Sequence, residues 1–117
     1  MKTTKVFQCL SDGIRLHAML LVCQHGELCV CELVELLQES QPKVSRHLAL
    51  LRNCGLLVDQ RRGQWVFYSL PDDLPDWARG ILADAAAAEA GALSAMQARL
   101  DTMAGRPERC AVQANPL

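Results

Sequence analysis

Two short amphipathic stretches separated by a four-residue break constrain this chain more than any other feature. After Glu39-Ser40-Gln41-Pro42, the run from about Gln41 to Asn53 carries Val44, Leu48 and Leu51 at i, i+4 and i+7, the spacing that lines one side of an α-helix. Ser40 is placed to cap that helix, and Pro42 fits its first turn, where no N–H is needed. Ahead of the break, Leu33, Leu36 and Leu37 make the apolar face of a shorter helix. Lys43, Ser45, Arg46 and His47 crowd the N-terminal end of the second helix. Two helices joined by a short turn, the second opening with polar and basic groups, predict a helix-turn-helix whose second helix enters the DNA major groove.

The side chains on that helix suit the task. Arg46 has the planar fork that matches guanine O6 and N7, Gln41 can read adenine, Ser45 can reach a phosphate or a base edge, and Lys43 adds charge. His47 fits either DNA or the core. After Gly55 the period changes to alternation: Leu56, Val58, Gln60 and then Trp65, Phe67, Ser69 flank Arg61-Arg62-Gly63-Gln64, a hairpin with a basic tip. A basic hairpin beside a recognition helix is a wing, and Arg61 and Arg62 would neutralise phosphates there. The expected fold is therefore mainly α with a small β-hairpin, a winged helix-turn-helix.

Net charge is −1, which alone argues against a nucleic-acid binder. Yet Lys43, Arg46, Arg52, Arg61 and Arg62 stand between Gln41 and Gln64 against Asp59 alone, so a basic face sits on an acidic body. The chain has 117 residues, the size of one domain. Residues 1–105 are expected to form the DNA-binding and dimerisation domain and 106–117 a flexible tail. Met1 to Gln8 is mixed and polar, not a signal peptide, and the small-apolar stretch from Ile81 to Met96 is interrupted by Asp84 and Glu89, so a cytoplasmic protein without a membrane partner is expected. Asp12 is placed to cap a helix with Leu16, Leu20 and Cys23 as a buried stripe, ended by His25-Gly26. Pro75 should start one long Ala-rich helix running to near Gly105, with Leu93, Met96, Leu100 and Met103 along it. Such a helix has too little to bury alone, so pairing with a second copy, a homodimer through terminal helices, is its natural use.

Six cysteines without a signal peptide favour reduced thiols, available for metal or redox chemistry. Cys29 and Cys31 lie about ten residues ahead of the recognition helix. On a regular helix, i and i+2 side chains point roughly 200° apart, so one ion held by both must distort the local backbone. Two small apolar core residues is the other reading. Two thiolates with no histidine nearby favour thiophilic ions over magnesium, calcium or manganese, and His17, His25 and His47 show no zinc spacing. Cys23 and Cys54 read as small packed residues. No His and acid accompany the cysteines at catalytic spacing, so an enzyme is not expected.

The segments ELCVCEL (Glu27 to Leu33), SQPKVSRHLALLR (Ser40 to Arg52) and GQWVFYSL (Gly63 to Leu70) resemble the arsenical-resistance repressors of the ArsR/SmtB family, with similarity from about Phe7 to Trp77. The resemblance implies a homodimeric winged-helix repressor that sits on operator double-stranded DNA until trivalent arsenic or antimony binds cysteine thiolates. No permanently bound cofactor is implied, only that inducer. By position, Cys29 and Cys31 match the inducer-binding pair, while Val34 stands where close relatives often carry a third cysteine. Cys110, another cysteine or a small-molecule thiol would then complete the ligand set. Two alternatives keep the fold: a cadmium or lead sensor, for which Cys9 is the only N-terminal candidate ligand, and a thiol redox-sensing repressor.

Overall fold

The computed structural model describes residues 1–102, and Met103 to Leu117, including Cys110 and the expected tail, lie outside the described residues. The element order is α1 (Thr3–Leu10), α2 (Gly13–His25), β1 (Glu27–Cys29), α3 (Val30–Leu37), α4 (Gln41–Asn53), β2 (Val58–Arg62), β3 (Trp65–Ser69), α5 (Asp76–Ala88) and α6 (Ala90–Asp101). The core is one cluster, mostly of Leu, Val, Met and Ala, drawn from the six helices together with Leu28 of β1 and Tyr68 of β3.

Helix α2 starts where the sequence predicts. The Asp12 carboxylate accepts the N–H groups of Ile14 at 2.9 Å and Arg15 at 3.1 Å, satisfying donors that the first turn leaves unpaired. Ala18, Met19, Leu20, Leu21 and Val22 are all buried, so this helix is covered on every side rather than along one stripe. Gly26 ends it at φ +80°, a left-handed conformation that costs glycine little, and its N–H bonds back to Val22 O.

Helices α3 and α4 form the helix-turn-helix. Gln38 adopts φ +55° to close α3, its side-chain amide donating to Glu35 O at 2.7 Å. Ser40 takes the N-cap position of α4 without a side-chain cap bond, and Pro42 sits in the first turn. Val44, Leu48 and Leu51 are fully buried, which fixes the polar side of α4 outward. The predicted hairpin forms between β2 and β3, with Arg62 opposite Trp65 and Gly63 at φ +63° in the two-residue turn.

Two features correct the expectation. The sheet has three antiparallel strands in the order β1-β3-β2, because Glu27–Cys29 pairs with β3. The C-terminal helix is two helices, broken at Glu89, whose carboxylate accepts from or pairs with His17 Nε2 at 2.8 Å. That break folds α6 back onto the domain, where Leu93 and Leu100 are buried within the same chain and Arg99 donates to Leu36 O at 2.8 Å at the end of α3. Leu93, Met96 and Leu100 thus pack within the chain where one long helix was expected.

Candidate functional site

The Cys29-Val30-Cys31 segment is not a stretch of regular helix. Cys29 is the last residue of β1, opposite Phe67, and the N-cap of α3 at φ −84° and ψ 161°. Helical geometry starts only at Val30, so the roughly 200° separation expected for i and i+2 on a regular helix does not apply. The extended residue swings its side chain back over the first turn, and the two sulfurs meet in bonding contact, with Cα atoms 5.4 Å apart. Both can face one soft ion without unwinding the helix. The required distortion is therefore corrected: the strand-to-helix corner already supplies it.

Glu32 builds this corner. It completes a capping box, in which the Cys29 side chain takes the N–H of the third helical residue and the Glu32 carboxylate accepts the Cys29 N–H at 3.0 Å. Glu32 is only 4% exposed, so its charge is held by these bonds rather than by water. Cys29 is fully buried and Cys31 half-buried. The reachable thiol is Cys31. It lines a cleft of about 580 Å³ between α3, the start of α4 and the wing, together with Val34, Glu35, Gln41, Ser45, Gln64 and Trp65.

On α4, Gln41 and Arg46 are exposed, Ser45 half-exposed, and Lys43 pairs with Glu39 at 3.2 Å. His47 turns inward instead. At 8% exposure it lies 3.1 Å from the Arg15 guanidinium and 3.9 Å from Asp12, so it ties α4 to the start of α2, the packing role of the two that the sequence leaves open. Burial opposes ionisation of Asp12, but the N–H groups of Arg15 and Ile14 and the charges of His47 and Arg15 outweigh it and hold that carboxyl below its ordinary value. On the wing Arg61 is exposed. Arg62 is not presented in the same way: both terminal nitrogens bond the Glu27 carboxylate at 2.7 Å, one also reaches Gln60 at 2.9 Å, and the guanidinium lies 4.5 Å above the Phe67 ring. Arg52 likewise pairs with Asp59 at 2.9 Å. Among the described residues, no ion pair engages Arg46 or Arg61, the cations of α4 and the wing whose charge is open to phosphate or base.

The other cysteines separate. Cys54, at the C-cap of α4, meets Cys9 of α1 sulfur to sulfur, a contact across two helices rather than the simple packing the sequence suggested. Cys23 is free, and burial raises its pKa, opposed by the charge of Arg79. Among the described residues no group of three or more His, Cys, Asp or Glu side chains gathers to hold a metal ion.

Residues 12–58 match the family model described as bacterial regulatory protein, arsR family. Over 107 residues the chain is 50% identical to the arsenic resistance transcriptional regulator ArsR2 of Pseudomonas putida, covering 92% of this chain and 93% of that one. This chain belongs to the ArsR family. An ArsR-family chain of Escherichia coli, the arsenical resistance operon repressor, is 51% identical over 81 residues, 69% of each chain. Among solved structures, HlyU from Vibrio cholerae superposes with a TM-score of 0.64 at 28% identity, covering 71% of this chain and 86% of that one. Its reduced form superposes with the same TM-score and identity, covering 71% and 83%. The ArsR-family member described here is thus a winged-helix transcriptional regulator, not an enzyme, and DNA is the partner of its helix-turn-helix.

Three of its features escaped sequence reasoning. The spacing Cys29-x-x-Glu32 is that of a capping box, with cysteine in the place of serine or threonine, and could have been read. Glu27 and Arg62 come together only through the strand order, and Cys9 and Cys54 only through tertiary packing, so neither of those pairs left a local signal.

Proposed function

We propose that this chain is a metalloid-responsive repressor that binds operator DNA as a homodimer and leaves it when trivalent arsenic or antimony is held by Cys29 and Cys31. The meeting of those two sulfurs at the joint between the sheet and the helix-turn-helix carries the reading. Soft thiolate donors select a thiophilic ion, and the first turn of α3 turns the positive end of its dipole toward them, which favours anionic sulfur. Arg46, Gln41 and Ser45 read bases or phosphates, Lys43 and Arg61 add charge, and Arg62 acts through Glu27. Displacing Cys29 from its capping role loosens the N-terminus of α3, the first helix of the DNA-binding pair. The relatives named for arsenic resistance support the choice of ion.

The test is fluorescence anisotropy of a labelled operator with the reduced protein. Cys29→Ser and Cys31→Ser should each bind DNA as the parent does and ignore arsenite. Release of either variant at the parent's arsenite concentration would sink the reading.

A second reading is supported by the sulfur contacts themselves: oxidation of Cys29 with Cys31 would make the same corner a redox sensor. Peroxide in place of arsenite decides between them, since the metalloid reading expects retention on DNA under peroxide and the redox reading expects release.

A further inference from the structure

We propose that Cys9 and Cys54 form a soft-metal site of their own, taking one monovalent ion of the Cu(I) type with the Met1 thioether as third sulfur. The site lies between α1 and the C-terminal end of α4 and uses neither Cys29 nor Cys31.

Cys9 sits in the last turn of α1 and Cys54 is the C-cap of α4, and their sulfurs meet across 45 residues of sequence. Their Cα atoms stand 7.1 Å apart, past the roughly 4.4–6.8 Å that a disulfide usually spans. Two metal–thiolate bonds of roughly 2.3 Å each reach farther than one sulfur–sulfur bond, so rotation of the side chains seats an ion between them with both helices in place. Cys9 is 8% exposed and Cys54 half-buried, which shelters the pair and leaves entry from the Cys54 side.

A third sulfur stands at that opening. The end of the Met1 side chain lies over Gly55, the residue after Cys54, 3.4 Å from where a Cβ would be. Glycine at φ +83° makes the turn there and leaves the room. Met1 is 53% exposed, and its flexible side chain can swing the thioether onto an ion.

The donor set selects the ion. Thiolate and thioether together favour Cu(I). Among the described residues no group of three His, Cys, Asp or Glu side chains gathers, so the closed four-ligand cage that zinc takes is not built around this pair. On binding, one Cu(I) replaces two thiol protons, forming two Cu–S bonds and releasing two H⁺ with no change of oxidation state. The complex carries one negative charge, and Arg15, whose Nε donates to Cys9 O at 2.7 Å, brings a guanidinium beside it. Arg15 also lies 3.1 Å from His47 of α4, so the same side chain joins the site to the recognition helix. Ligands so far apart in sequence come together only in the folded chain, and an ion on them clamps α1 to the end of α4.

The experiment uses the full chain carrying Cys29→Ser and Cys31→Ser, reduced and free of oxygen, so that the strand-to-helix corner cannot compete. Cu(I) is offered from its coloured bicinchoninate complex, and transfer is followed by loss of that colour, by the thermal midpoint and by thiol alkylation read peptide by peptide. One Cu(I) per chain should transfer, raise the thermal midpoint and protect Cys9 and Cys54, with no change at Cys23 or Cys110. Cys9→Ser or Cys54→Ser should each lower the affinity by at least about a hundredfold, and Met1→Leu, released from a cleaved fusion, by about tenfold. Ag(I) should compete for the site and Zn(II) should not. The alkylation pattern is read with both cysteines in place, so it decides the matter even where a serine variant fails to fold. Protection of Cys23 or Cys110 instead of the pair, or displacement of Cu(I) by Zn(II), would overturn the proposal. A Met1→Leu chain as tight as its parent would remove the thioether, and with it the choice of copper.

Discussion

Arg62 on β2 grips Glu27 on β1 across the intervening strand, both terminal nitrogens lying 2.7 Å from the carboxylate oxygens, above the ring of Phe67, which pairs with Cys29. The wing is thereby braced to the strand that carries Cys29, the thiol proposed as sensor. Since Glu27 already neutralises Arg62, the phosphate contact proposed for the wing falls to Arg61. Arg61→Ala should lower the slope of log affinity against log salt by about one. Arg62→Ala should leave that slope nearly unchanged and cost at most about 1 kcal/mol of stability, as both partners are partly exposed. Anisotropy on random DNA across a salt series separates the two, and an equal drop in slope for both would mean that Arg62 lets go of Glu27 on DNA.

Arg46 is proposed to read bases where the wing cation meets phosphate. Exposed on the outer side of α4 and engaged in no ion pair among the described residues, it is set for a bidentate base contact. Arg46→Ala should lose roughly 1–3 kcal/mol of specific affinity while random-sequence binding falls far less. A uniform loss on both DNAs would reassign it to phosphate.

Glu32 holds the strand-to-helix corner by accepting the Cys29 N–H. Glu32→Ala leaves that buried donor unpaired and should cost about 1–2 kcal/mol in urea unfolding, whereas Glu32→Gln keeps an acceptor and should cost less. If the glutamine variant lost as much as the alanine one, charge rather than capping would be the contribution.

The helix-turn-helix and wing were legible because their signals are local: Val44, Leu48 and Leu51 at helical spacing, alternation on either side of Gly63. The strand role of Glu27–Cys29 was not, because three residues are too few for a period and their partner strand lies far along the chain, Cys29 pairing with Phe67. Helical reasoning then carried the two cysteines onto one helix, when Cys29 is extended. His47 was ambiguous for a different reason. It follows Arg46 directly and lies within one turn of Val44, at the edge of the buried face, and only the presence of Arg15 and Asp12 beneath it decides the direction. The long final helix failed at Glu89, where a tertiary partner, His17, overrides alanine's helix propensity.

That break buries part of the apolar side of α6 within its own chain. Leu100, 2% exposed, packs inside its own chain, so Leu100→Asp should unfold the protein at a cost of roughly 3–5 kcal/mol rather than give clean monomers. Phe7 on α1 and Trp77 on α5 are large apolar side chains left 54% and 39% exposed. With a homodimer through α1 and α5, Trp77→Asp should sediment as a monomer with unchanged far-ultraviolet dichroism and weak operator binding. A Trp77→Asp dimer as tight as the parent would place the seam elsewhere.

Asp12 makes stability depend on acid. Its folded pKa is held below the ordinary 3.8, so its contribution is present above that value and is lost as pH falls through the lower folded one. Asp12→Asn keeps an acceptor for the α2 cap but cannot ionise. Thermal midpoints followed from about pH 7 down to about pH 3 should therefore fall less steeply for the variant than for the parent, the two curves converging at the acid end. Parallel curves would show that the carboxylate's charge, as distinct from its hydrogen bonds to Ile14 and Arg15, adds nothing to the joint between α2 and the recognition helix.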